Sequence, residues 1–155
     1  DWTYWYPTGE ISYHAKFKEG LRTGQWTYFY KDGTKFKEGT FEKDEKHGQW
    51  KTFYESGVLL MEGNYQTGKE QGEWMNYWPS GSLKNKANFH EGELNGEWYS
   101  YYENDKLHLS GKYKDNMKVG EWSEFFENGN LKTGVYVEDG IDWSNGGVTK
   151  YKFIR

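Results

Sequence analysis

Gly120-Glu121-Trp122-Ser123-Glu124-Phe125-Phe126-Glu127-Asn128-Gly129-Asn130-Leu131-Lys132 holds an aromatic cluster, an Asn-Gly turn and the start of a second apolar segment in one short run. Its tryptophan belongs to a series, Trp2, Trp26, Trp50, Trp74, Trp98 and Trp122, spaced by 24 residues without a slip. A fixed period of that length marks a repeat architecture in which each unit is one supersecondary element. Two more ring columns keep the same period. Trp5, Phe29, Phe53, Tyr77, Tyr101 and Phe125 form a strand-end column, followed directly by a turn-ring column of Tyr6, Tyr30, Tyr54, Trp78, Tyr102 and Phe126.

Two columns read as turns: Gly9, Gly33, Gly57, Gly81, Asp105 and Gly129 in the first, Gly20, Asp44, Gly68, Gly92, Asn116 and Gly140 in the second. Asp and Asn are the residues other than glycine that best tolerate a left-handed backbone, so both columns predict positive φ. Two turns per unit make two strands per unit. Between them stand a Leu column (Ile11, Lys35, Leu59, Leu83, Leu107, Leu131), then alanine or glycine, then a Phe/Tyr column (Phe17, Phe41, Tyr65, Phe89, Tyr113). That alternation is a half-buried strand, whereas a helix would carry glycines costing about 1 kcal/mol each relative to alanine. The fold class is all-β, an elongated antiparallel meander of tandem 24-residue hairpins. A further column, Gly24, Gly48, Gly72, Gly96 and Gly120, admits no exchange, which predicts close approach of another group rather than dihedral need alone.

Pro7 and Pro79 follow the turn rings and lack the N–H that a two-residue hairpin would use. A type I turn closed by a glycine bulge suits them, and it pairs the strand-end column with the Leu column. In that register the strand-end, Leu and Phe/Tyr columns share one face, and the Trp and turn-ring columns share the other. The units run 2–25, 26–49, 50–73, 74–97, 98–121 and a degenerate 122–143, in which Gly134 and Tyr136 come one residue early. Residues 144–155 read as a capping strand after a Ser144-Asn145-Gly146-Gly147 turn, with Lys150, Lys152 and Arg155 charging the outer edge.

The composition of the 155 residues fits a thin aromatic core: mean hydropathy is -1.14, yet 21% of residues are aromatic. Disordered chains lack such aromatics. The formal charge is -4, and the only arginines are Arg22 and Arg155. Nucleic acid, which requires a basic stripe, is disfavoured as a partner, and an anionic membrane with it. There is no cysteine for a disulfide, thiolate metal site or nucleophile. The chain starts inside a repeat at Asp1-Trp2, so upstream residues, a signal among them, are expected to have been trimmed.

The repeated string of Gly, Glu or Gln, and Trp, then two rings, a turn and a Leu-Lys start, as in Gly120-Glu121-Trp122 to Leu131-Lys132, resembles the bacterial MORN-repeat-variant family. The resemblance covers nearly the whole chain. It implies an elongated, twisted antiparallel sheet acting as an interaction module, and many members carry the label of toxin-antitoxin antitoxin. Asp44, Asp105 and Asn116 at glycine positions and Lys35 at a leucine position depart from the pattern.

Catalysis needs an irregular constellation, whereas a repeat supplies each group over and over. Glu73, Glu97 and Glu121 share a column with Gln25 and Gln49, which rules out a common acid–base role there. His14, His47, His90 and His108 sit at unrelated repeat positions without metal-ligand spacing. The expectation is a non-enzymatic scaffold with no cofactor and no metal, binding a protein partner, antitoxin- or immunity-like. The alternative is a surface or secreted module binding glycan or choline-like ligands through its rings. Trp26, Trp50, Trp74, Trp98 and Trp122 are expected to be structural, while the turn rings Tyr30, Tyr54, Trp78 and Tyr102, varied in ring type, are the candidate binding residues. The sequence leaves the compartment open between a bacterial cytoplasm and the cell exterior, and names no oligomeric state.

Overall fold

The computed structural model describes residues 1–137 and 151–153. Gly140, Lys150, Arg155 and the expected turn at 144–147 lie outside them. Among the described residues there is no helix. The strands are β1 (Trp2–Trp5), β2 (Ile11–Ala15), β3 (Phe17–Lys18), β4 (Leu21–Arg22), β5 (Gly24–Phe29), β6 (Lys35–Glu42), β7 (Glu45–Phe53), β8 (Leu59–Gln66), β9 (Lys69–Tyr77), β10 (Leu83–His90), β11 (Glu93–Tyr101), β12 (Leu107–Lys114), β13 (Met117–Phe125), β14 (Leu131–Val137) and β15 (Tyr151–Phe153). Thirteen of them form one antiparallel sheet in chain order, with β3 and β4 as a separate pair. This is the all-β meander that the period implies.

Both turn columns behave as their substitutions suggest. The first turn closes with bonds such as Gly57 N–H to Tyr54 O (2.8 Å) and Tyr54 N–H to Val58 O (2.9 Å). Every described member of its glycine column, Asp105 included, has positive φ. It is the bulged turn expected from the prolines, and the strand-end residues pair with the Leu column, as Phe53 with Leu59 and Tyr77 with Leu83. At the second turn both central residues have positive φ, as at Lys43 (48°) and Asp44 (69°), which is what a two-residue type I′ turn requires.

A second bulge overturns the expected division of faces. After Phe53 pairs with Leu59 the next pair is Thr52 with Met61, so Leu60 is an extra residue, and Lys84 is its counterpart between β9 and β10. One inserted residue reverses the in–out parity of all that follows. Tyr65 therefore faces Gly48, two residues before Trp50, and the Phe/Tyr column lies on the Trp face instead of with the leucines.

The close approach expected at the constant glycine column is overturned. A Cβ on Gly48, Gly72 or Gly120 would meet nothing within 4 Å, and on Gly24 or Gly96 only the side chains of Lys16 or Asn88. What these residues supply is positive φ, 66° at Gly48 and 71° at Gly72. Each sits in a local irregularity: Gly63 faces Trp74 and the next pair is Asn64 with Gln71, leaving Gly72 and Glu73 out of the ladder with β8. Close approach belongs to Gly39, Gly63 and Gly111, where a Cβ would stand 2.1 Å from the indole of Trp50, Trp74 or Trp122.

A single-layer sheet has no second layer to cover its core, so each indole is enclosed by its neighbours. Trp50 lies on Gly39, with Phe41 (5.0 Å) and Tyr65 (6.1 Å) edge-on at its sides. The Lys46 ammonium caps its ring at 4.9 Å. Lys118 covers Trp122 in the same way at 4.3 Å. Long lysine stems shield apolar area while the head stays wet, and Trp26, Trp50, Trp74 and Trp122 are left 3–5% exposed. Truncating such an indole to alanine costs about 3–5 kcal/mol. The opposite face carries ion pairs between strands, including Glu73 with Lys86 (2.5 Å) and Glu97 with Lys112 (3.1 Å).

Candidate functional site

Two rows of hydrogen bonds join neighbouring units and position what lies between them. At the first-turn end every turn ring but Phe126 reaches to the next unit: Tyr6, Tyr30, Tyr54 and Tyr102 donate their hydroxyls to the carbonyls of Phe29, Phe53, Tyr77 and Phe125 at 2.7–2.8 Å. Trp78 keeps the tether with a different donor, its Nε1–H to Tyr101 O at 3.3 Å. At the other end the second-turn N–H reaches back, as Asp44 to Arg22 O (3.0 Å) and Gly68 to Lys46 O (3.0 Å). Asp44 and Asn116 do more than tolerate the turn, because their Oδ1 atoms accept the backbone N–H of Arg22 and Leu94, both at 2.7 Å.

Tyr30, Tyr54, Trp78 and Tyr102 are thus half-buried rings whose polar atoms are engaged on the adjacent unit. Tyr30 and Tyr102 also pack on Phe36 (4.9 Å) and His108 (4.5 Å), while the Lys84 ammonium lies 4.5 Å from the Trp78 ring. They border the Trp face along one side. In the Trp column, Nε1 of Trp26, Trp50 and Trp74 donates to the carbonyls of Lys16, Thr40 and Asn64 at 3.1–3.2 Å. Trp98 is half-buried and tilted against Trp122 at 5.9 Å, and Trp122 Nε1 is buried with no partner among the described residues.

On the Trp face residues of the second, third and fourth units line a cavity of about 230 Å³. Phe36, Trp50, Thr52, Met61, Tyr65 and Trp74 line it. Lys37 and Lys46 complete the lining. The Lys37 ammonium lies 5.8 Å from the Trp50 centroid and 5.4 Å from that of Tyr28, and Lys46 lies 4.5 Å from that of Tyr65. Neither lysine makes an ion pair among the described residues, whereas Arg22 nearby is held by Asp44 at 3.1 Å. Burial lowers the Lys46 pKa below the ordinary lysine value, and the Lys37 charge lowers it further. Burial first, then the neighbouring Glu70 carboxylate, pushes Tyr65 up to about 12. These two lysines escaped the column reading because they occupy different columns and meet only across paired strands. The available signal was that Lys37 is the one cation in a column otherwise made of Tyr13, Met61, Asn85, Leu109 and Thr133.

The acid–base and metal candidates stay apart. Of the glutamates in the shared column, Glu73 and Glu97 face away from the indoles in ion pairs with Lys86 and Lys112. His14, His47, His90 and His108 contact Thr3, Glu42, Gln71 and Ser100 respectively. Among the described residues no three His, Asp or Glu side chains converge.

The sequence model of a family described as MORN repeat variant matches residues 22–43, 46–67, 70–91, 94–115 and 118–137. Each match opens at the strand that follows a second turn. No curated protein matches the chain.

Proposed function

The chain belongs to the MORN repeat variant family, and from that premise we propose that it is a scaffold that binds another protein on its Trp face. Repeats of this family are generally non-catalytic modules, and many mediate protein interactions. The observation that carries the reading is the cavity over Trp50 and Trp74, an indented aromatic surface with cations at its rim. Aromatic anchors set in a polar rim are the usual anatomy of a binding hot spot. Tyr30, Tyr54, Trp78 and Tyr102 enter as the border of this face, offering a partner their rings, since their polar atoms hold the next unit.

In its narrow form the partner is a toxin and the chain is antitoxin-like or immunity-like; a small toxin-like reading frame beside the gene is the observation that would favour it. The choline-like alternative has a physical obstacle. The protein's own ammonium groups, those of Lys37, Lys46, Lys84 and Lys118, already lie over the ring faces that a quaternary ammonium would use.

The test is affinity capture from a lysate of the source organism, with the intact chain and with a Phe36→Ser, Met61→Ser variant of equal melting point. A protein retained by the first and lost by the second supports the reading. Equal retention moves the contact off this face, and recovery of cell-wall glycan in place of protein favours the alternative.

A further inference from the structure

The cavity also breaks the symmetry of the array, and the break has a chemical sense. Two lysines with no ion-pair partner among the described residues share one indole, Lys46 at 4.9 Å and Lys37 at 5.8 Å. The unit after it has Met61 and Glu70 in the corresponding columns, and the next Asn85 and Leu94. Glu70 already offsets part of the Lys46 charge and Lys46 donates to the Tyr65 hydroxyl at 3.3 Å. Lys37 still repels it over a buried ring, and an anion between the two would relieve that repulsion. The chain as a whole is negative, at -4, so this patch runs against its average. At about 230 Å³ the cavity falls below the roughly 300 Å³ lower limit typical of small-molecule pockets, and it suits one large side chain. The apolar part of its lining, Trp50, Trp74 and Met61 among it, gives an inorganic anion nothing to bury.

We propose that the Lys37–Lys46 cavity recognises an acidic peptide segment of the partner, a carboxylate side chain lying between the two ammonium groups and an adjacent large apolar side chain filling the space over Trp50 and Trp74. This rests on the protein-binding reading and names the chemistry of the partner. The depressed pKa of Lys46 agrees with it, since the charge of a bound carboxylate would offset the Lys37 repulsion that, after burial, depresses it.

The experiment is selection from a displayed library of random linear peptides on the intact chain, followed by affinity measurement with the synthetic winners. Peptides pairing Asp or Glu with a neighbouring Phe, Leu or Trp are expected. K37M and K46M keep the aliphatic stems over Trp50 and remove the charge, and each is expected to weaken binding about tenfold. The double reversal K37E/K46E is expected to select basic peptides instead. Winners without acidic residues, or affinities unmoved by K37M and K46M, overturn the inference. If such peptides are still lost on Phe36→Ser, the protein-binding reading survives without it. Binding of phosphatidylserine vesicles with no peptide selected overturns both.

Discussion

One methyl group separates two ways for a tryptophan to sit on this sheet. Where the residue beneath is Gly39 or Gly63, the next indole beds onto the backbone and donates to a strand carbonyl. Where it is Ala87, Trp98 is half-buried; over Ala15, where the strand ends and β5 pairs with β2 only through Tyr13–Tyr28 and His14–Thr27, Trp26 stays buried and still donates to Lys16 O. Gly63→Ala should therefore cost about 1–3 kcal/mol through overpacking, with Trp74 emission shifting to the red. Gly72→Asn, at a left-handed site with open space around it, should cost less than about 1 kcal/mol. Urea melts of the two variants check the order, and a reversal would mean that dihedral need outweighs crowding. A finer test is Tyr54→Phe, which keeps the ring but removes the 2.8 Å bond to Tyr77 O. A loss of about 0.5–1.5 kcal/mol is expected, and no loss at all would make the tether incidental.

The hairpin is the unit that can be added or removed. Each strand of the large sheet pairs only with its neighbours in chain order, so stability is close to a sum over units. Deleting residues 74–97, a whole period, should leave a folded chain with a lower urea midpoint. Deleting half a period should not be tolerated, because it joins strands of the wrong direction and face; equal tolerance of both would refute the register. The unit itself was legible in the sequence, because Trp spacing, turn substitutions and the two prolines each report on local backbone. The side on which Phe41 and Tyr65 lie was not, because Phe36 and Leu60, the extra residues that reverse parity, leave no mark in composition. Likewise the constancy of Gly48 and Gly72 shows that glycine is needed there but not whether space or dihedral demands it. The Lys37–Lys46 pair was hidden for a third reason: it is formed by pairing between β6 and β7, and column statistics follow each strand by itself.

At the scale of the whole molecule, thirteen paired strands about 4.8 Å apart span roughly 60 Å, so scattering should report a rod-like particle and not a sphere. Its aromatic core also sets an alkaline limit. Burial, then the hydrogen bond from its hydroxyl to Glu62, pushes Tyr77 up to about 12, as burial and Glu70 do Tyr65. Unfolded tyrosines ionise near 10, so between 10 and about 12 the unfolded chain sheds protons that the folded one keeps. Stability contributed by these phenols is thus complete below pH 10 and falls as pH rises through that window. Melting temperature against pH should show the decline, and Tyr65→Phe with Tyr77→Phe should flatten it; an unchanged slope would assign it to other groups. The two rows of tethers have a different consequence. At each of the first four junctions the earlier unit donates through a turn ring at one end, as Tyr54 does to Tyr77 O, and the later unit donates through a turn N–H at the other, as Gly68 does to Lys46 O. The array is therefore a vector: its two ends are unlike and mutually complementary. Copies fused head to tail can continue both rows of stitching through the seam with the donors and acceptors that the internal junctions already use.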